Sequence, residues 1–199
     1  MPHSLVPQPI AHARRSIHIA PQSAAWRIVE TEAAFETIFD TDVNLVVWRR
    51  GNSTPAIDPS LIRPARRLMR SVRNSSVSAL DIADALELGR VTAFATDIAR
   101  LVELFAALCD AQVVGLRLES TDRQTCPKWH TDRVGLRLMT TYTGPGTEWL
   151  DGDTTRRASA GDVLAAKGEL WPCAPGACVH RSPDPRGAVR LLLTLDELR

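Results

Sequence analysis

The sequence predicts an α+β protein in three stretches: an extended arm over residues 1–25, a mainly helical portion over 26–111, and a strand-rich core over 112–199. Three observations predict it. Phe94, Ile98, Leu101, Val102, Phe105 and Leu108 recur along one helical face, so Thr92 to Asp110 reads as a helix with a side to bury and Thr92 as its cap. From Val113 onward the pattern changes to short apolar runs separated by Thr, Gly and Pro turns, which is how strands are punctuated. Met1 to Ala25 holds four prolines, three histidines and no carboxylate, a composition that favours an extended chain.

Within the arm, His3, His12 and His18 are too widely spaced to make a site and read as a solvated tail. Thr31 to Asp40 reads as a short helix capped by Thr31, with Phe35, Ile38 and Phe39 on one side. Asn44 to Trp48, β-branched at Val46 and Val47, is a strand candidate. Ser60 to Arg73 is expected to be an amphipathic helix, with Pro64 tolerated in its first turn. Arg63, Arg66, Arg67, Arg70 and Arg73 recur on one of its faces. That face is either a surface for an anionic partner or a solvated basic stripe, paired with the acids of Asp81, Asp84 and Glu87 on a second short helix that ends at Gly89. Val113 to Leu118 opens the sheet, and Val163 to Lys167 and Val189 to Leu195 are its clearest later strands.

Basic and acidic residues nearly balance, 24 to 23, so the total charge demands no polyanionic partner. No run approaches the roughly eighteen apolar residues of a membrane span, and the N-terminus lacks the apolar stretch of an export signal. The expectation is a soluble cytoplasmic protein.

The chemistry concentrates in Cys126-Pro-Lys-Trp-His130-Thr-Asp132, followed by His180 and Arg190. Asp132 stands two positions after His130, so on a strand or its end both side chains leave the same side of the backbone and can chelate together. Two histidines and one carboxylate hold a divalent metal while leaving other positions open, the arrangement used by non-haem Fe(II) oxygenases. Arg190 lies in an otherwise apolar strand, where a guanidinium either meets an anionic partner or faces solvent from an edge.

In this order the residues resemble the Fe(II)/2-oxoglutarate-dependent dioxygenases, from about Val113 to Leu195. The resemblance implies a double-stranded β-helix, the jelly-roll or cupin-like architecture, with the helical portion packed on it. It implies His130, Asp132 and His180 as ligands of Fe(II), Arg190 as the grip on the distal carboxylate of 2-oxoglutarate, and hydroxylation or demethylation of a substrate. Thr140 and Tyr142, on the next strand, share the parity of Asp132 and are candidates to hydrogen-bond the bound acid, though a tyrosine there is as readily structural. The second half is also similar to an uncharacterised bacterial family, on Cys126-Pro-Lys-Trp-His-Thr-Asp-Arg133, Thr141-Tyr-Thr-Gly-Pro-Gly-Thr-Glu-Trp-Leu150 and His180-Arg-Ser-Pro183. That resemblance implies metal physiology without naming a metal.

The cysteines offer a rival. Cys126 lies four residues before His130, and Cys173 and Cys178 precede His180 by seven and two. Thiolate and imidazole together favour Zn2+, so Cys126, His130, His180 and Cys173 or Cys178 would make a zinc site of metal homeostasis without oxygenase activity, Asp132 then orienting an imidazole. A Cys173–Cys178 disulfide is a third reading, and Cys109 is a small buried hydrophobe. Trp129, Trp149 and Trp171 fall in the same region as core or as pocket walls.

Overall fold

The computed structural model describes residues 25–57, 67–73, 78–85, 92–173 and 176–198. Nearly all of the expected arm, Arg63, Arg66 and Gly89 lie outside the described residues. In chain order the elements are β1 (Ala25–Val29), a 3-10 helix (Ala33–Phe39), β2 (Val43–Trp48), β3 (Arg67–Arg73), α1 (Ala79–Ala85) and α2 (Ala93–Cys109). Then follow β4 (Val113–Thr121), β5 (Leu136–Thr143), β6 (Glu148–Asp151), β7 (Thr154–Arg157), β8 (Val163–Lys167), β9 (His180–Arg181) and β10 (Arg190–Glu197).

Seven strands form one sheet, in the order β1-β2-β8-β5-β10-β4-β3, and three form a second, β7-β6-β9. An isolated antiparallel bridge from His180 to His130 extends the small sheet past β9. From β4 onward the chain passes back and forth between the sheets: β4 in the large one, His130 at the small one, β5 large, β6 and β7 small, β8 large, β9 small, β10 large. Antiparallel strands wound alternately into two sheets make a jelly-roll-like architecture.

Period-2 alternation divides each central strand between two cores. Leu136, Leu138, Leu191, Leu193 and Leu195 face α2 and pack with its Phe94, Ile98, Leu101, Val102 and Phe105. Each such side chain removed from water contributes about 1.5–3 kcal/mol. The Thr92 hydroxyl caps α2 by accepting from the Ala95 amide at 3.1 Å, and Asp110 ends it in a left-handed conformation. On the opposite faces, Leu45, Val47, Met139, Leu164 and Ala166 pack with Trp149 and Cys178 between the sheets. That second core closes one end of the interior and leaves the other end to polar residues. No helix among the described residues is long and apolar enough to cross a membrane.

Three expectations need correction. Part of the stretch expected to be a helix over Ser60 to Arg73 is the edge strand β3, antiparallel to β4 from Arg67↔Glu119 to Arg73↔Val113. Arginines at helical spacing do not oppose a strand when a partner edge supplies the backbone hydrogen bonds, and tertiary pairing here overrides the local pattern. With β1 and β2 also in the large sheet, the portion before residue 112 is less helical than expected. Thr31 makes no cap either: the short helix is 3-10, preceded by Glu32 without a side-chain cap.

Candidate metal centre

The centre is built where the small sheet ends. His130 and His180 face each other across the antiparallel bridge, exchanging N–H···O bonds of 3.0 and 2.9 Å, with ring centroids 4.6 Å apart. Each ring is anchored by the carbonyl two residues earlier: His130 Nδ1 donates to Lys128 O at 2.9 Å and His180 Nδ1 to Cys178 O at 3.2 Å. A carbonyl can only accept, so both Nδ1 atoms carry a proton and each ring turns Nε2 toward the carboxylate, able to donate an N–H there or, deprotonated, to ligate a metal. Both Nε2 atoms point at Asp132, 3.9 Å from Oδ1 and 3.1 Å from Oδ2. His180 Nε2 and the buried Asp132 Oδ2, 3.1 Å apart, need a cation between or beside them, a proton on the ring or a metal ion. A divalent metal meets that need, since ligand atoms on one ion sit roughly 3 Å apart. Among the described residues, His130, Asp132 and His180 are the group whose donor atoms gather within 4.8 Å.

Arg137 fixes the carboxylate. Its Nη1 lies 2.6 Å from Asp132 Oδ1, while Nε and Nη2 grip Asp196 at 2.6 and 2.8 Å. Burial alone would raise the Asp132 pKa. The His180 hydrogen bond and charge, then Arg137 and His130, outweigh it and hold the carboxyl at about 2. The backbone is pinned as well: the Glu169 amide donates to Asp132 O at 2.8 Å and the Leu170 amide to Val134 O at 3.0 Å. Gly168 permits this approach, because a Cβ there would stand 2.2 Å from Val134 O and 2.7 Å from Asp132 O. Gly168→Ala is expected to displace the Asp132 segment, weaken metal binding about ten- to hundredfold, and lower stability by about 1–3 kcal/mol. Metal titration and urea unfolding of the variant read both.

His130, Asp132, His180 and Arg190 line one cavity of about 300 Å³ between the sheets. Arg190 is 2% exposed and among the described residues meets only neutral acceptors: Nε donates to Pro145 O at 3.0 Å, and Nη2 to Thr141 and Thr147 Oγ1 at 3.2 and 2.9 Å. Burial pulls its pKa down to about 10, partly offset by the charges of Glu119 and Cys126, so it is a cation at neutral pH. Gly144 (φ 77°) lets the Gly144-Pro145-Gly146 turn close over this arginine, a Cβ there falling 2.9 Å from Arg190 Cα.

Thr140 and Tyr142 do not line the cavity. Both lie on the α2 side of β5: Tyr142 donates to Asp97 Oδ2 at 2.7 Å, and Thr140 Oγ1 accepts from Arg50 at 3.4 Å. The cavity face of β5 carries Arg137, Met139 and Thr141, because the turn at 133–135 interrupts the parity counted from Asp132. Tyr142→Phe is therefore expected to cost about 1.5–3 kcal/mol in urea unfolding, the value of a hydrogen bond to a charged group, with metal affinity unchanged.

The zinc set does not assemble. Cys173 and Cys126 are exposed, Cys178 is buried with its thiol pushed up to about 12 by burial and by the charge of Asp132, and none joins the histidine cluster. A thiol held protonated is a poor metal ligand. All four cysteines are free, so Cys173 and Cys178 form no disulfide. Trp149 and Trp171 pack in the cores, and Trp129 lies under the Arg181 guanidinium at 4.1 Å. The sequence reading missed Arg137 and the Thr141, Pro145 and Thr147 cradle. An arginine inside the apolar run Leu136-Arg137-Leu138-Met139 was the signal for the first.

The family profile described as protein of unknown function (DUF1826) matches residues 30–196. The chain belongs to this family. No curated protein matches it. Among solved structures, this member of the family is similar to a dioxygenase for auxin oxidation from Arabidopsis thaliana in complex with 2-oxoglutarate, at 11% identity over 74% of this chain and 70% of that one, TM-score 0.45. It is also similar to a dioxygenase for auxin oxidation from rice, at 13% identity over 71% of this chain and 58% of that one, TM-score 0.43. A Pseudomonas putida prolyl-4-hydroxylase gives 12% identity over 85% and 99%, TM-score 0.47. These likenesses are distant, and a chemistry for this family member has to come from its own side chains.

Proposed function

We propose that this protein is a non-haem Fe(II)- and 2-oxoglutarate-dependent dioxygenase on a double-stranded β-helix, hydroxylating or demethylating a small substrate in the cytoplasm. His130, Asp132 and His180 hold the metal, and Arg190 grips the distal carboxylate of the keto acid. One observation carries the reading: a two-histidine, one-carboxylate cluster and a buried arginine without a carboxylate partner among the described residues share one cavity. Three protein ligands leave positions open, which is what a non-haem iron oxygenase site requires.

The residues divide the work. The carbonyls of Lys128 and Cys178 fix which ring nitrogen each histidine offers, and Arg137 pins the Asp132 carboxylate in place. Arg190, kept rigid by Pro145, Thr141 and Thr147, presents a planar fork that suits two charge-assisted hydrogen bonds to a carboxylate. Met139 and Leu192 give the cavity its apolar wall, which excludes water and strengthens those contacts. When bound, Fe(II) supplies the redox chemistry with dioxygen and the keto acid. Cys126 lines the cavity, but no cysteine sulfur among the described residues joins the ligand cluster as a zinc-thiolate site would require.

The test is elemental analysis of protein purified without oxygen or chelator, followed by anaerobic 2-oxoglutarate titration of the Fe(II)-loaded form. The expected result is one iron per chain and a charge-transfer band that grows with keto acid. Bound metal with no response to 2-oxoglutarate would overturn the proposal.

A further inference from the structure

The charges on the cavity wall do not balance. Arg67, Arg117, Arg137, Arg181 and Arg190 line it, against the carboxylates of Glu119 and Asp132. Three of these cations have carboxylate partners: Arg137 with Asp132 and Asp196, Arg67 with Glu119 at 3.0 Å, and Arg181 with Glu148 at 2.7 Å. Arg190 is taken by the keto acid in the reading above. Arg117 is left over.

Its place in the sheet is defined by register. Arg117 on β4 lies between Thr194 of β10 and Met69 of edge strand β3, and Thr194 in turn lies beside Met139 of β5. Glu119 and Arg67 form the neighbouring row. Arg117 therefore occupies the β3 side of the cavity, one row from the Arg67–Glu119 pair. Its contact there is weak: among the described residues Nη2 donates to Thr194 Oγ1 at 3.3 Å, while Nε is buried with no acceptor and no carboxylate pairs with it. A guanidinium is a permanent cation, and one held half-buried with donors unused is stabilised by an oxyanion. Met69, 62% exposed, is its register neighbour on β3, and Leu192 and Met139 give the cavity an apolar wall.

We infer that the substrate is an organic anion whose carboxylate or phosphate is held by Arg117, on a short apolar stem that runs past Leu192 and Met139 toward the metal cluster. Arg67, already matched by Glu119, adds a screened charge at the rim. Arg70 has no part in this: on β3 it alternates with Met69 and is exposed, so the anion-facing surface expected from the arginine spacing is divided between two faces of a strand. A cavity of about 300 Å³ is at the low end for small-molecule sites, which restricts the substrate to a small acid beside the keto acid. As a statement about a substrate the inference rests on the dioxygenase reading; as a statement about anion binding it does not.

The test uses hexanoate and hexyl phosphate as probes, with hexanol as the uncharged control, titrated calorimetrically into the full chain, both metal-free and loaded with Fe(II) and 2-oxoglutarate without oxygen. At least one anion is expected to bind where hexanol does not, and its relative strength against the other separates a carboxylate from a phosphate site. Arg117→Gln should weaken that probe about ten- to hundredfold, Arg117→Lys less, and Arg70→Gln not at all. The lysine variant keeps charge and stem, so it reads the loss of the fork even if the glutamine variant folds poorly. Anion binding that is absent in the wild type, or equal in wild type and both Arg117 variants, overturns the inference. If 2-oxoglutarate gives no band in the wild type, the dioxygenase reading fails, and the titration of the metal-free chain still decides the role of Arg117.

Discussion

Asp132→Ala protein is expected to purify without stoichiometric metal and to bind added Fe(II) more than about 100-fold more weakly than the wild type, since losing a supporting partner of a ligand already costs ten- to hundredfold. The fold should survive, because Arg137 keeps its two hydrogen bonds to Asp196 at 2.6 and 2.8 Å and is not left as an unpaired buried charge. A pH series separates this loss from unfolding. In the metal-free wild type the Asp132 carboxyl is held at about 2, below its ordinary 3.8, so its contribution to stability is complete above pH 3.8 and disappears as pH falls toward 2. The variant lacks that step, and the two stability curves should converge at low pH. Metal retained at one per chain in Asp132→Ala would place the ligands elsewhere.

Why the three ligands were legible and their surroundings were not is a matter of range. Histidine is scarce in this chain, five residues with three in the first 18, so the two that remain stand out with Asp132 between them. The strands of Val163–Lys167 and Arg190–Glu197 and the stripe of α2 follow from local periodicity. What failed needed information from other parts of the chain. The parity that put Thr140 and Tyr142 with Asp132 was counted through the turn at 133–135, where alternation does not hold, so the side chains that face Arg190 are Thr141 and Thr147 instead. Arg67 to Arg73 reads as part of a helix until β4 is beside it. Of the cysteines near the histidines in sequence, Cys178 packs into the core between the sheets, Cys173 is exposed, and Cys126 lines the cavity without bringing its sulfur into the ligand cluster.

Arg190→Met is expected to separate function from stability. If the guanidinium holds the keto acid, its removal strips a buried, charge-assisted pair from the complex, a loss of about 2–5 kcal/mol that raises the 2-oxoglutarate Kd roughly 30- to several-thousandfold while leaving Fe(II) binding in place. The metal-free protein should nevertheless be as stable as the wild type, or more so. Arg190 is nearly inaccessible to water and has no carboxylate partner among the described residues, so it carries a desolvation cost of several kcal/mol that a carbonyl and two hydroxyls offset only in part. A methionine fills the space of the stem without that cost, and the Thr141 and Thr147 hydroxyls can rotate toward other acceptors. Urea unfolding and keto-acid titration of the same preparation should therefore move independently or in opposite directions. A destabilisation of several kcal/mol with keto-acid affinity intact would make Arg190 a structural member of the Gly144-Pro145-Gly146 turn. The expected result makes it a charge held in the interior for a ligand, which is why an arginine stands where the strand's own packing would take an apolar residue.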